Sequence, residues 1–386
     1  LLIAATGADE LNLLCSMTAH GINPNIHTIA RICNPDYTDQ VYKMQKTFAL
    51  SLTVNPEKQA AIEIERLLKF PGFLKRDSFA KGRVEIVELR VDERSRLCNV
   101  ALSELNRVIK CRVLVCAVLR RGDVVAPDGS FVLREGDRIF VTASTESLAT
   151  LLDNLGIITK KVNHVMICGG GRVSYYLAQQ LEKDGMTVRL IEKDPKHCEE
   201  LAALLPKTEI INDDASNTFV LKRENIESCD ALVTATGMDE LNMIISLYGT
   251  KHGVSQVITK LGHMENGSMI DQLPIGSTIW PKDLCCNGIV RYIRAMHNQT
   301  GAAVSVHSIA DGKAEAIEFH VEDKKPYCDK PLKNMKVKQN ILVSCITHGG
   351  VTELPGGDSV IREGDTVVVV TTRNDIIYKL DDIFEA

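Results

Sequence analysis

The stretch GGGRVS at 169–174 is the part of the sequence whose residue types and spacing carry the clearest chemistry. It has the GxGxxG spacing of dinucleotide-binding loops, with Ser174 in place of the last glycine. In such loops the first glycine makes a tight turn, and the second lets the backbone approach a pyrophosphate at a helix N-terminus. A glycine turn that binds nothing is the alternative interpretation. The candidate phosphate-binding residues are Gly169, Gly170, Gly171, Arg172 and Val173.

Two acidic residues follow at the ends of the next two predicted strands. Glu192, about 20 residues after the loop, would accept hydrogen bonds from both ribose hydroxyls of an adenosine, and its charge disfavours the 2′-phosphate of NADP. Because NAD, ATP and ADP carry the same diol, Glu192 does not distinguish among them. A solvated acid in a turn is the alternative. Asp214, in DDAS at 213–216, is interpreted equally as an adenine or ribose contact or as an Asx turn.

A heptapeptide occurs twice, as TGADELN at 6–12 and TGMDELN at 236–242. Its Thr-x-x-Asp spacing predicts a helix-capping box before an apolar run. Its position at a strand end also places Thr236 and Gly237, and their counterparts Thr6 and Gly7, in the crevice where nucleotides bind. At the end of the next predicted strand stand Lys260 and Arg31, which are candidates for a phosphate contact or are solvated charges.

Alternating strand and helix signals must position these residues. An apolar run at 165–168 ends in the glycines, a helical pattern covers 172–183, and a strand at 187–194 carries Glu192. This alternation continues to residue 297 and predicts a parallel, doubly wound α/β sheet of the Rossmann type. From residue 315 onward, strands with turn glycines and a short helix at 375–384 predict a small α+β module.

The heptapeptide belongs to a longer duplication with an offset of about 230 residues. FVLREGDRIFVTAS at 131–144 matches SVIREGDTVVVVTT at 359–372, and 54–72 matches 279–297. The predicted domains are a partial Rossmann domain at 1–81, a module at 82–155, a complete Rossmann domain at 161–300 and a module at 312–386. The first Rossmann domain has no glycine loop and no ribose acid, so Thr6, Gly7 and Arg31 form half a site. We therefore expect the chain to begin within its first domain, and either a further N-terminal piece or another chain to complete it.

Composition disfavours several functions. The net charge of −5 gives no basic field for nucleic acid, and no apolar run reaches the roughly 20 residues of a membrane span. The twelve cysteines have no zinc-ligand spacing, so we expect buried reduced thiols and no metal site. Because the histidines, among them His164 and His197, are isolated and no Walker A motif occurs, we expect binding without catalysis.

Taken together, these motifs resemble the TrkA family of tandem RCK (or KTN) proteins, in which RCK-N Rossmann domains are each followed by an RCK-C module. The resemblance covers the whole chain and rests on GGGRVS, LIEKD at 190–194, DDAS, the two heptapeptides, IARICNPDY at 29–37, NPE at 55–57 and the two REGD stretches. It implies a non-catalytic regulatory subunit that binds NAD(H) or, alternatively, ATP or ADP. The implied partner is a TrkH- or TrkG-like potassium transporter, regulated by a ring of homo-oligomers, usually tetrameric, at the cytoplasmic face of the membrane.

Two other functions stay open on sequence grounds. An NAD-dependent oxidoreductase would need a catalytic His, Lys or Tyr projecting into the crevice. A nucleotide-sensing module of another cation transporter or channel would share the same motifs. The presence of two tandem copies without a membrane span favours a separate regulatory subunit.

Overall fold

The computed structural model describes residues 1–69, 73–92, 95–155, 161–262, 270, 273–296, 303–372 and 376–385. The chain folds into two compact units, each assembled from two separate stretches. We call Leu1–Lys69 with Lys161–Tyr292 the Rossmann unit, and Phe70–Lys160 with Ile293–Ala386 the module unit. The two copies of each domain type therefore lie in the same unit.

The helices and strands are numbered in chain order. The first Rossmann copy contains β1 (Leu2–Ala4), α1 (Asp9–Ile22), β2 (Thr28–Arg31), α2 (Pro35–Lys43), β3 (Leu52–Val54) and α3 (Pro56–Lys69). The first module contains β4 (Lys75–Phe79), β5 (Val84–Arg90), α4 (Leu105–Ile109), β6 (Leu114–Arg120), β7 (Asp123–Val125), β8 (Arg138–Ser144) and α5 (Thr145–Leu155). The second Rossmann copy contains β9 (His164–Cys168), α6 (Arg172–Lys183), β10 (Thr187–Glu192), α7 (Pro195–Leu204), β11 (Glu209–Asn212), α8 (Thr218–Arg223), β12 (Ala231–Thr234), α9 (Asp239–Lys251), β13 (Gln256–Lys260), β14 (Ser277–Ile279) and α10 (Pro281–Met296). The second module contains β15 (Ala303–Ile309), β16 (Ala314–His320), β17 (Ile341–His348), β18 (Val351–Glu353) and β19 (Thr366–Thr371).

The second Rossmann copy is a six-stranded parallel sheet in the order β11-β10-β9-β12-β13-β14. This confirms the predicted doubly wound sheet. The strand order reverses between β9 and β12, and that point is where such sheets bind ligands, at the carboxyl ends of the strands. Both the glycine loop and the second heptapeptide begin there.

Both faces of this sheet are buried, which explains why its strands read as continuous apolar runs. Along β9, Val165 and Ile167 pack on one face with α6, whereas Met166 and Cys168 pack on the other with α8 and α9. This division follows from the two-residue period of a strand.

The first Rossmann copy is a three-stranded parallel sheet in the order β1-β2-β3. Its helix α3 packs against α6 of the second copy, and the two contribute to one core through Ile64, Leu67, Val173, Leu177 and Leu181. The last helix of the first copy thus supports the helix that follows the glycine loop.

Each module is a five-stranded antiparallel sheet, β4-β5-β8-β6-β7 in the first and β15-β16-β19-β17-β18 in the second. Strands β4 and β15, which lie before residues 82 and 312, pair with β5 and β16. One sequence expectation was wrong here. The helix expected at 375–384 is, within 376–385, only a 3-10 turn at Leu380–Ile383. The two sheets share a core that includes Phe79, Cys116, Phe140, Ala316 and Val368.

None of the helices in the described ranges has both the length and the apolar character required to cross a bilayer.

Candidate functional site

The glycine loop begins with a turn that only glycine accommodates. Gly169 has φ +100°, and a Cβ on it would lie 2.8 Å from Thr236 Cα. Its N–H donates to the carbonyl oxygen of Ile191 at 2.8 Å. The loop therefore closes tightly against the end of β12 on one side and β10 on the other.

Gly170 brings the loop to the predicted ribose acid. Its N–H donates to Glu192 Oε2 at 2.7 Å. A Cβ at this position would lie 2.8 Å from Leu201 Cδ1 and 3.0 Å from Glu192 Cγ, so the close approach requires a glycine. Glu192 Oε1 accepts a second bond, from the N–H of Asp194 at 2.9 Å. A carboxylate has about four acceptor positions, so two positions remain for ribose hydroxyls.

Gly171 is the N-cap of α6 and is open to solvent. It has φ −65° and ψ 179°, no side chain caps the helix, and the first turn contains no acidic residue. A Cβ on Gly171 would meet nothing within 4 Å. The first N–H groups of a helix have no partner within the helix, and they favour an anion. Arg172 is exposed at this end, whereas Val173 is buried and packs into the core.

Ser174 takes the place of the third glycine and is fully buried. Within the described part of the chain, its Oγ has no hydrogen-bond partner. An unsatisfied buried hydroxyl costs about 1–3 kcal/mol, so serine fits this position at an energetic cost.

Asp214 forms the turn that the alternative interpretation expects. Its Oδ1 accepts from the N–H of Ser216 at 2.8 Å, and the Ser216 backbone and side chain lower the pKa of the Asp214 carboxyl. The side chain is exposed, just beyond β11 and one strand from Glu192. Its contact with an adenosine stays a prediction.

The repeated heptapeptide does not form a capping box. Its last residue, an asparagine, instead forms side-chain hydrogen bonds that join two strand ends to the helix, and we call this arrangement the clasp. Met238 is the N-cap of α9 and makes no side-chain capping bond. Instead, Asn242 Oδ1 accepts from Thr236 N at 2.9 Å and from Thr236 Oγ1 at 2.7 Å, and its Nδ2 donates to the carbonyl oxygen of Lys260 at 3.0 Å. The capping prediction failed because Thr236 lies two residues before the N-cap. Asn242, which ties the ends of β12 and β13 to α9, was not identified as important from the sequence.

The first copy repeats these contacts. Asn12 Oδ1 accepts from Thr6 N at 2.8 Å, and its Nδ2 donates to the carbonyl oxygen of Arg31 at 2.9 Å. The N-cap of α1 is Ala8, again without a side-chain bond, so the capping prediction is wrong in both copies. The signal that could have revealed the clasp is the asparagine kept in both heptapeptides.

The aspartate of the heptapeptide anchors the loop after the following strand. Asp239 accepts from the N–H of Gly262 at 2.9 and 2.8 Å. In the first copy, Asp9 Oδ2 accepts from the N–H groups of Cys33 at 2.9 Å and Asn34 at 2.7 Å. The heptapeptide is therefore repeated because one local geometry is needed twice, at the same edge of each sheet.

The two candidate cations are held by neighbouring protein groups. Lys260 Nζ donates to the carbonyl oxygen of Thr236 at 2.7 Å, and burial lowers the pKa of its ammonium against the opposing effect of Asp239. Arg31 Nε lies 3.0 Å from Cys33 Sγ, a contact that raises the pKa of the guanidinium. Lys260 borders the crevice at Thr236, whereas Arg31 lies at the end of β2, where Asn12 joins its carbonyl oxygen to the exposed Thr6.

A histidine that sequence reasoning passed over lies under the loop. His197 Nε2 donates to the carbonyl oxygen of Gly170 at 2.8 Å, and its Nδ1 lies 3.2 Å from Glu200 Oε2. The bond to Gly170 is the main cause that raises the pKa of the imidazole, and the carboxylates of Glu200 and Glu192 add to it. Its position in the first turn of the helix after Glu192 was the available signal.

The structure thus brings together the glycine loop, Glu192, Thr236, Gly237 and Lys260 at the point where the strand order reverses. Across the described residues, no group of three His, Cys, Asp or Glu side chains could hold a metal ion. The cysteines described are free thiols.

Matches to known proteins repeat this tandem organisation. The model of the TrkA-N domain matches residues 1–52 and 165–281, and the model of the TrkA-C domain matches residues 86–156 and 316–384. The chain belongs to the TrkA family. Because each domain matches twice, the family assignment also confirms the predicted tandem arrangement.

Two relatives within the TrkA family span nearly the whole chain. The Trk system potassium uptake protein TrkA homolog 1 of Methanosarcina mazei is 29% identical over 376 residues, which are 96% of this chain and 82% of the relative. The Trk system potassium uptake protein TrkA of Haemophilus influenzae is 26% identical over 393 residues, which are 100% of this chain and 84% of the relative.

Solved structures share the fold of this TrkA-family chain. The RCK domain of GsuK superposes with a TM-score of 0.58 at 14% identity, covering 95% of this chain and 77% of that one. The GsuK channel bound to NAD gives a TM-score of 0.56 at 15% identity, covering 96% of this chain and 64% of that one. At such identities the likeness establishes the tandem RCK architecture.

Proposed function

We propose that this chain binds NAD(H) in the crevice of its second Rossmann copy and regulates a potassium uptake transporter from the cytoplasmic side of the membrane. The observation that carries the proposal is the 2.7 Å bond between Gly170 N and Glu192 Oε2. This bond holds the Glu192 carboxylate, to which we assign the ribose, beside an open helix N-terminus in a chain of the TrkA family, and it thereby supports the proposal.

We assign each chemical group of the ligand to a different set of site residues. The diphosphate suits Gly169, Gly170, Gly171 and the first turn of α6, where a Cβ on Gly171 would meet nothing. The adenosine ribose suits Glu192, whose carboxylate keeps free acceptor positions. Asp214 is assigned to the adenosine side, and Thr236, Gly237 and Lys260 to the wall formed by β12 and β13. ATP or ADP would use the same loop and the same acid.

Regulation requires that the nucleotide prefer one conformation of the chain. A ligand shifts an equilibrium only by its difference in affinity for the two states. We assign the chain a TrkH- or TrkG-like membrane partner, a tetrameric ring and no catalytic role. The names of the potassium uptake relatives and the RCK fold support this assignment.

Calorimetric titration of the full chain with NADH, NAD and ATP tests the binding step. One site per chain is expected, because only the second copy contains both the loop and the ribose acid. Glu192→Gln should weaken NADH binding at least about tenfold, because the ribose loses its charged acceptor, whereas Glu199→Gln, an exposed glutamate on α7, should leave it unchanged. Two sites per chain would mean that the first copy also binds a nucleotide, at Thr6, Gly7 and Arg31. Absence of binding by all three nucleotides would contradict the proposal.

Potassium uptake tests the regulatory step. Cells that lack their own TrkA-type subunit and express this chain with a matching transporter should take up potassium, and Glu192→Gln should alter the rate of uptake. NADH turnover with small carbonyl compounds, in contrast, would support an oxidoreductase.

A further inference from the structure

The imidazole of His197 contacts two acceptors at once. Its Nε2 is 2.8 Å from the carbonyl oxygen of Gly170, and its Nδ1 is 3.2 Å from Glu200 Oε2. The histidine side chain is 40% exposed and that of Glu200 is 56% exposed. A solvent-accessible group is thus bonded to the central residue of the glycine loop.

The Gly170 residue is held from both sides. Its N–H donates to Glu192 Oε2 at 2.7 Å, while its C=O accepts from His197. His197 is itself fixed at the start of α7, because Asp194 Oδ1 caps this helix by accepting from Lys196 N at 3.0 Å and His197 N at 3.4 Å. His197, the Gly170 peptide and Glu192 thus form one chain of hydrogen bonds from α7 through the loop to β10.

Only the imidazolium can satisfy both acceptors. A neutral imidazole has one N–H donor and one lone pair, so either the Gly170 carbonyl or the Glu200 carboxylate would face a lone pair. The carboxylates that act on the ring are Glu192, at the end of β10, and Glu200, on α7. The peptide of Gly170 contributes a neutral dipole, and Asp194 and Lys196 flank the ring in the cap and first turn of α7.

We propose that His197 is a positioning residue of the nucleotide site, and that its protonated form strengthens NAD(H) binding, so that affinity depends on pH. This inference rests on the proposed function. It adds a residue and a proton to the part of the site that is formed by the glycine loop and Glu192.

The direction of the pH dependence of NADH affinity follows from the charges at the site. A dinucleotide brings a doubly negative diphosphate to a loop that already lies beside the Glu192 carboxylate. An imidazolium one hydrogen bond from that loop offsets this repulsion and holds the Gly170 peptide in place. Binding therefore raises the pKa of His197 and takes up protons, and affinity falls as pH rises through the histidine titration.

The test is the dissociation constant of NADH for the full chain, measured from pH 6.5 to pH 8.5. We expect it to rise about threefold across this range, the change produced when a ligand raises a pKa by roughly half a unit. His197→Gln should bind NADH with a flat pH profile. His164→Gln is the matched control, since His164 is an exposed histidine at the opposite end of β9, and it should keep the wild-type profile.

A second variant keeps the histidine and changes its partner. Glu200→Gln removes one carboxylate beside the ring, so the midpoint of the pH profile should move to lower pH. Circular dichroism confirms that each variant is folded. If the His197→Gln profile matches the wild type, the inference is overturned while nucleotide binding stands. If the wild type binds no NADH at any pH, the inference is also overturned, and the proposed function itself fails if NAD and ATP do not bind either.

Discussion

Asp77 and His307 occupy equivalent positions in the two module copies, and they are bonded to each other. His307 Nδ1 lies 2.9 Å from Asp77 Oδ1, and both side chains are largely buried. The equivalence follows from the matching stretches at 75–90 and 305–320, in which Phe79-Ala80 corresponds to Ile309-Ala310. The modules therefore face each other through the same strand of each copy, as in a two-fold arrangement. Two further contacts are related in the same reciprocal way. Lys313 donates to the Gly122 carbonyl, and its counterpart Arg83 lies beside Gly350.

The Asp77–His307 pair should stabilise the module unit. In a double-mutant cycle of Asp77→Asn and His307→Gln, we expect a coupling energy of about 1–2 kcal/mol, because the contact is mostly shielded from water. The measurement is the free energy of unfolding in urea. Asp358→Asn, whose side chain is 85% exposed, should change it by less than about 0.5 kcal/mol. A coupling near zero would mean that the shared apolar core alone holds the modules together.

Most of the predictions from the sequence rested on local patterns of residue type and spacing. The positions of the glycine loop and Glu192 at two neighbouring strand ends were predictable, because residue types at a fixed spacing mark a tight turn and a strand-end acid. The helix at 172–183 was predictable for the same reason, since its apolar period is 3.6 residues.

Contacts between distant residues were not predictable. The bond between Asp77 and His307 joins positions 230 residues apart, and that between Asn12 and Arg31 joins positions 19 apart. The capping prediction failed because the same letters fit a local cap and a longer-range clasp, and only packing chooses between them. His197 was missed because its partner is a backbone carbonyl, so its position in the first turn of the helix after Glu192 was the available sequence signal.

The Asn242 clasp should be important for stability. Asn242 is fully buried and bonds to both Thr236 and Lys260. Asn242→Ala leaves these backbone groups without partners, so we expect a loss of about 2–4 kcal/mol in the free energy of unfolding. Asn12→Ala should show a similar loss in the first copy. Asn163→Ala, at an exposed asparagine, is the control, and an equal effect there would contradict the clasp.

Substitution of the loop glycines should separate folding from binding. Gly171→Ala meets nothing within 4 Å and keeps an ordinary φ, so we expect a stability change under about 1 kcal/mol but NADH binding at least about tenfold weaker. Gly169→Ala combines φ +100° with a 2.8 Å backbone approach and should cost about 3 kcal/mol or more. Gly288→Ala is the control, because a Cβ on this residue of α10 also meets nothing within 4 Å. Unchanged NADH affinity in Gly171→Ala would argue against a diphosphate at this helix.

The buried thiols should resist alkylation. Burial raises the pKa of Cys116, Cys168 and Cys345 to about 12 each, so little thiolate exists at pH 8. Cys286 is exposed beside buried Cys285. Mass spectrometry after brief iodoacetamide treatment of the native chain should find label at Cys286 and none at these three, whereas urea should expose them all. Comparable labelling of Cys168 and Cys286 in the native chain would contradict the buried β9.

The Glu192 carboxylate should also set the choice between NADH and NADPH. Held by the N–H groups of Gly170 and Asp194, it cannot move away from a ribose without giving up two bonds. A 2′-phosphate at that ribose would face the carboxylate at close range, so we expect NADH to bind at least about tenfold more tightly than NADPH. Glu192→Gln removes the charge and should reduce this preference to below about threefold while weakening NADH itself. Titrations of both dinucleotides against the wild type, Glu192→Gln and Glu199→Gln measure these ratios. Equal affinity of the wild type for NADH and NADPH would mean that the adenosine ribose lies away from Glu192, although the loop still holds the diphosphate.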